Sequence, residues 1–508
     1  MKAIGIRATM TDIIATPAGP SLLESDRRSS GRAIILAIVI FAFLSTICSI
    51  FSDGFIAADA CVHYMYARFC FQEPMRLVDV WGRPLVTALY AIPAITGGRI
   101  AVRAVAMLVA LGCGLTAMGL GRGQKMRLPA LALILTLGQP LLFMHSFGEM
   151  TELPFALLLG LSALTYQKKQ FFVAAVFIAL TPLARPEGFG FIAIAGVALL
   201  LHRRWAAMLV LPLPLAGWNL AGWILNGRAG PWWRWLIDAW PYASHSVYGS
   251  GSLLAMVAQL PVILSPLVVP ATIIGIALSL RKAEDDESKH LRRCRAMTAL
   301  IPLFVLTVHS LLYWTGRMAS YGEARYLLVA APFWGVLSAR GWEWIFTRLQ
   351  WRRPLYWAGL AVLVPPIVVD LILPIAPAPM AKDWLTARDL AAWYQQPFIR
   401  QDHPIIMASH PGIFYYMDIS PTNRHAISFT QSSALTAPPG TLLIWDPIYA
   451  QLNATANHVV TLDELAKDHW TQIPAPAIKG ITGADTQHSW HLYVRAPQDM
   501  PTQPGSLK

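Results

Sequence analysis

The stretch 171–201, FFVAAVFIALTPLARPEGFGFIAIAGVALLL, places two apolar runs on either side of one charged turn, Arg185-Pro186-Glu187-Gly188. Both runs, 171–184 and 189–201, have helical composition. With 14 and 13 residues they span only ~20 Å each at 1.5 Å per residue. A hydrocarbon layer of ~30 Å needs roughly 20 residues. The turn between them therefore lies below the membrane surface, where charges persist only if they are paired or line a wet cavity.

The same grammar extends over residues 1–379. Charge-free runs such as Ala33–Phe51, Leu128–Phe147 and Leu253–Leu280 are long enough to cross a bilayer. The pattern predicts eleven spans, at about 33–52, 104–120, 128–147, 153–167, 171–184, 189–201, 206–226, 255–280, 296–315, 327–346 and 355–373. Composition agrees. Charged residues make up 13% of the chain and hydrophobic residues 55%, with mean hydropathy +0.48; a soluble globular chain has ~25% charge. So few charges cannot cover a water-facing surface, and soluble classes are excluded.

A net charge of +12 raises the question of a nucleic-acid partner, and its distribution answers it. With the N-terminus in the cytoplasm, the inward segments hold 22 of the 40 Lys and Arg, and the longer outward segments of the membrane part hold 10. This is the positive-inside bias of a polytopic protein. No basic stretch lies on a soluble domain, so no nucleic acid is expected as a partner. The odd number of spans puts the C-terminal part outside.

The domain reading follows: a cytoplasmic lead at 1–32, a transmembrane domain at 33–379 with a first outer loop at 53–103, and a small extracytoplasmic α/β domain at 380–508. The run at 33–51 is too long for a signal-peptide core and reads as a retained anchor. In the tail, Ala381–Gln396 has an amphipathic helical pattern. Pro404–Ala408, Gly440–Trp445 and Trp490–Val494 are strand-like runs between turn residues. The five Cys have no metal-ligand spacing. Cys61 and Cys70 share the first outer loop, as a disulfide or as two buried thiols.

The carboxylates of the membrane part gather on the outer side, among them Asp59, Glu149, Glu152, Glu187 and Glu323. Several recessed charged turns opening one way imply a polar cavity. The competing reading makes Arg185 half of a structural ion pair. In Ala57–Arg68, helical spacing puts Asp59, His63, Tyr66 and, one turn on, Cys70 on one face. A carboxylate in a partly dehydrated cleft suits a general base for an attacking hydroxyl. Asp is equally at home as a helix N-cap, and the segment alone leaves both roles open.

Four motifs in order, all on the outer side, carry a resemblance. They are Asp59 early in a large first outer loop, Thr151-Glu152-Leu153-Pro154-Phe155, Ala184-Arg185-Pro186-Glu187-Gly188 and Tyr321-Gly322-Glu323-Ala324-Arg325-Tyr326. Together with the topology of nearly the whole chain, they resemble the GT-C superfamily of integral-membrane glycosyltransferases, including family 39 members. The segment at Asp59 is similar to the Asp-Asp-Ala-Tyr-Ile…Arg-Tyr-Ala pattern of bacterial arabinofuranosyl- and mannosyltransferase-like members, except that Ala58 stands where that pattern has its first Asp.

The resemblance implies an all-α polytopic membrane domain with an outward α/β domain, in a bacterial inner membrane. It implies inverting transfer of a sugar from a polyprenyl-phosphate donor to a glycan, lipid or protein acceptor, with no cofactor. Asp59 would be the base. Arg185 and Arg325, then Arg83 in Trp81-Gly82-Arg83-Pro84, would hold the phosphate through planar, bidentate guanidinium groups. Glu187 and Glu323 would orient those arginines, with His63 and Tyr326 beside them. Glu149 and Glu152 would meet sugar hydroxyls or a divalent metal, for which the sequence has no dedicated ligand set.

Two other classes share these features. A transporter or flippase of lipid-linked sugars would have the same helices and buried charges, but this chain shows no internal duplication of the kind many transporters carry. An inactive binding relative would fit the missing first Asp.

Overall fold

The computed structural model describes residues 22–242, 245, 246, 248–281, 289–348, 377–421, 423, 425–429, 431–450, 461, 464, 465, 469–474, 476 and 489–497. Helix α1 (Leu22–Phe51) contains the first predicted span. After a short segment, α2 (Ala58–Phe69) falls in the predicted first outer loop, with Asp59 in its first turn and Arg68 in its last. Helix α3 (Pro84–Gly123) has 40 residues and a break at Gly98, where φ is 62°.

The sequence reading leaves 84–103 inside the first outer loop. The chain instead turns helical at Pro84. Proline is well suited to a first helical position, and α2 packs along the new segment.

The runs that follow are cut at Pro and Gly. The run at 128–147 becomes α4 (Pro129–Leu137) and α5 (Pro140–His145), divided at Gly138-Gln139-Pro140. Then come α6 (Glu152–Gln167), α7 (Phe171–Leu180) and α8 (Gly188–Leu201). The short lengths of α7 and α8 match the reading of 171–201.

Among the described residues four helices are long and apolar enough to cross a membrane: Gly31–Phe51, Pro84–Gly123, Trp205–Leu225 and Lys289–Trp314. A fifth counts if Ala255–Leu264 and Val269–Leu280, bent by 108°, form one broken span. Helix length and apolarity therefore support fewer spans than the eleven predicted. Interior breaks turn several apolar runs into pieces that no single-helix criterion passes, and the run at 355–373 lies outside the described residues.

Large apolar side chains such as Ile35, Phe43, Leu108 and Leu209 are exposed on the long helices. Surfaces of this kind are covered by lipid rather than water.

The tail carries a five-stranded sheet in the order β2-β1-β3-β5-β4. Its strands are β1 (Ile406–Ala408), β2 (Ala426–Ser428), β3 (Leu442–Trp445), β4 (Trp470–Ile473) and β5 (His491–Arg495). β1 pairs in parallel with β2 and β3, while β5 is antiparallel to β3 and β4. Helices Lys382–Tyr394 and Pro411–Met417 pack on each other. The sequence pattern marks the first of these helices and the strands β1, β3 and β5, and does not mark β2 and β4.

Candidate active site

Four chain segments far apart in sequence converge at the site. They are the start of α2, Thr151-Glu152 at the start of α6, the α7–α8 turn, and the 3-10 segment Ala324–Ala330 leading into helix Ala331–Arg348. Each begins at a break between apolar runs, so each exposes backbone and charge where the helices start.

Arg185 is central. Its Nη1 donates to Glu152 Oε1 at 2.6 Å and to Thr151 Oγ1 at 2.9 Å. Its Nη2 donates to Glu187 Oε1 at 2.9 Å. Arg325 continues the chain: Nη2 donates to Asp59 Oδ2 at 2.7 Å, Nε meets Glu323, and Nε lies 3.9 Å from Glu152 Oε1. Glu152 thus stands between the two arginines. Both guanidinium groups lie over the Tyr326 ring, 5.6 and 5.7 Å from its centroid.

The line Asp59–Arg325–Glu152–Arg185–Glu187 is continuous, and carboxylates outnumber the arginines in it. Burial alone would raise the Glu187 carboxyl, but Arg185 and His309 outweigh it and hold the group well below the usual carboxylate range. Burial opposes the charge on both arginines, yet their carboxylate neighbours keep them above the ordinary arginine value.

Arg83 is buried and bonds the Tyr242 hydroxyl through Nη2. It feels the charges of Glu187 and Arg185. His63 stacks on Trp81, with ring centroids 4.7 Å apart. Burial pushes His63 down to about 4 against the pull of Asp59 and Glu152, so it is neutral at pH 7. Among the described residues, Arg83 Nη1, Glu152 Oε2 and His63 Nδ1 are buried with no hydrogen-bond partner. Buried polar atoms ordinarily find partners, and these are positions where a polar ligand would supply them.

Glu149 is elsewhere. Arg103 Nε donates to Glu149 Oε1 at 3.0 Å, and both side chains are 0% exposed. The remaining Arg103 donors go to the carbonyls of Ser49, Ser52 and Gly54 at 2.8–2.9 Å. This pair ties the end of α1 to α3.

Sequence reasoning missed Arg103, which stands at the edge of a predicted span. It also missed His309, and it gave Thr151 no role of its own. Nε2 of His309 lies 3.3 Å from Glu187 Oε1, and its ring stacks on Tyr326. A lone His in the apolar run 296–315 was the available signal. Cys61 and Cys70 are both buried free thiols. Among the described residues no group of three or more His, Cys, Asp or Glu side chains is arranged to hold a metal ion.

The fold is similar to that of a solved membrane protein. That structure is ArnT from Cupriavidus metallidurans in the apo state, one of those the chain resembles: TM-score 0.54 and 12% sequence identity, over 92% of this chain and 98% of that one. At that identity the likeness is one of fold. No family model matches the sequence, and no curated protein matches it.

Proposed function

We propose that the protein is an inverting glycosyltransferase that moves a sugar from a polyprenyl-phosphate donor to an acceptor on the outer side of a bacterial inner membrane. The acceptor is a glycan, a lipid or a protein. The reading places the N-terminus in the cytoplasm and residues 380–508 outside. The observation that carries it is the line of ion pairs from Asp59 through Arg325 and Glu152 to Arg185 and Glu187, set in a fold shared with ArnT.

In this reaction the acceptor hydroxyl oxygen attacks the anomeric carbon from the face opposite the phosphate. The new C–O bond forms as the bond from that carbon to the phosphate oxygen breaks. The hydroxyl proton passes to the Asp59 carboxylate, and the lipid phosphate leaves with the electron pair. Arg185 and Arg325 neutralise the charge that grows on the leaving phosphate, the form of catalysis worth most in a site shielded from water. Arg83, with one unpartnered N–H, is the third donor. His63 and Tyr326 bound the same space, and Glu187 and Glu323 orient the arginines.

Side-chain exposure ranks the carboxylates. Asp59 is 40% exposed and Glu323 32%, while Glu152 is 1%. A phosphate reaching Arg325 from the open side displaces Asp59 and leaves Glu152 in place. Donor binding then frees the base at the moment the acceptor needs it.

The test is purified protein incubated with a panel of labelled polyprenyl-phosphate sugars. Product formation that is lost in Asp59→Asn supports the reading. Movement of the labelled lipid across a vesicle membrane without product would replace it with a transporter.

A further inference from the structure

Helix α2 has 12 residues, a length that is marginal for a helix unless tertiary contacts hold it. Both of its ends touch the C-terminal part of the chain. Before its first turn, the Gly54 N–H donates to the Ala378 carbonyl at 3.1 Å, and the Ala378 N–H donates to Ser52 Oγ at 2.8 Å. Gly54 sits so close to the next residue that a Cβ there would stand 2.4 Å from the Pro379 carbonyl oxygen, so the approach admits only glycine. Phe55 packs against Trp384 and Tyr415, with ring centroids 5.2 and 5.1 Å away.

At the other end, Arg68 Nε and Nη2 donate to Asp418 Oδ1 and Oδ2 at 2.6 and 2.7 Å. Its Nη1 donates to the Ala94 carbonyl of α3 at 3.1 Å. Tyr64, between the two ends, meets Tyr415 edge to face. Asp418 closes helix Pro411–Met417 in the left-handed region, with φ 51° and ψ 43°. Glycine is the usual residue at such a cap, and Asp is one of the few others that visits the region routinely. This cap therefore carries a carboxylate, and the carboxylate is spent on α2.

We infer that the tail domain is a positioning element for the transfer site. It holds α2 at Gly54 and at Arg68, and so sets Asp59 against Arg325, with Arg68 and Asp418 as positioning residues. The inference rests on the reading of Asp59 as the base. The Arg68–Asp418 pair is 29% and 59% exposed, and a pair so open contributes little to global stability. Its bidentate geometry fixes direction and distance, which is what a base needs. A displacement of about 1 Å in a reacting group costs on the order of a hundredfold in rate.

The test uses the full chain in lipid nanodiscs, as Arg68→Ala, Asp418→Ala and the charge-exchanged double variant Arg68→Asp/Asp418→Arg. Hydrogen–deuterium exchange of the segment 58–69 reads the grip without reference to activity. It should rise roughly tenfold in each single variant, stay unchanged in the other segments, and return toward wild type in the double variant. In transfer assays kcat should fall roughly ten- to a hundredfold with the donor KM little changed, and the exchanged pair should recover most of it.

Single variants whose exchange and kcat match wild type would overturn the inference. So would exchange that rises across the whole protein, since the pair would then be a general staple. A wild-type protein that transfers no sugar defeats the proposed reaction, and the exchange measurement still decides whether the tail grips α2.

Discussion

Glu149 and Glu152 stand three residues apart in one turn, and in sequence they are indistinguishable: two carboxylates at the outer start of a short apolar run. In the fold they belong to different systems. Glu149 faces Arg103 in a sealed pair whose other donors are spent on backbone carbonyls. Glu152 sits between two arginines that each reach further carboxylates, and each of the two glutamates keeps one oxygen without a hydrogen-bond partner. The first arrangement pairs one carboxylate with one arginine, and both side chains are fully buried. The second has more carboxylates than arginines, and its outermost members are exposed. A buried ion pair that closes on itself serves the fold, and one that stays open toward solvent is available to a ligand.

Removing half of the closed pair should have the largest effect. Glu149→Gln leaves the Arg103 guanidinium buried without its counter-charge, a loss of about 3–5 kcal/mol, seen as a sharp fall in thermal midpoint or as failure to accumulate folded protein. Glu152→Gln should cost far less stability, because Arg185 keeps Glu187 and Arg325 keeps Glu323 and Asp59. The opposite ranking in thermal denaturation would break the comparison.

Within the open system, Asp59→Asn should leave the thermal midpoint near wild type and cut transfer by roughly 10²–10⁴-fold, the range for loss of a general base. Near-normal turnover in that variant removes Asp59 from the chemistry.

Arg185→Ala and Arg325→Ala should weaken binding of a polyprenyl phosphate by roughly ten- to a hundredfold, as expected for charge-assisted hydrogen bonds. Acceptor affinity should change much less. Equal losses for both ligands would put the arginines back in a purely structural role.

The smallest effect is one of pH. His63 titrates at about 4 in the fold against an ordinary 6.5, so the unfolded chain binds the proton more readily between those values. The contribution of neutral His63 is complete above pH 6.5 and is lost as pH falls toward 4. His63→Asn should flatten the acid side of the stability–pH curve over that interval, measured by thermal denaturation. An unchanged slope would mean that burial does not hold the imidazole neutral.

The legible parts of the molecule are those governed by local rules. Apolar run length marks the helices, and the shortness of 171–184 and 189–201 puts Arg185 and Glu187 at a turn between two short helices. Breaker residues are legible as signals but mislead about where helices end. Pro93 sits inside the helical stretch that begins at Pro84, whereas Gly98 breaks that stretch and Gly138 and Pro140 divide a run that looks continuous. Whether a breaker ends a helix depends on what packs beside it. His309 reaches the site from a segment far along the chain, and nothing within a few residues of it announces a partner.

The sequence by itself determined that this chain lives among apolar helices and that its few carboxylates collect at turns between them, because hydrophobic run length and charge are properties of the residues alone. Only the tertiary structure decided which carboxylate meets which arginine. An ion pair needs a separation of a few ångströms, and segments 266 residues apart, such as those carrying Asp59 and Arg325, reach it only when packing brings their helix ends together.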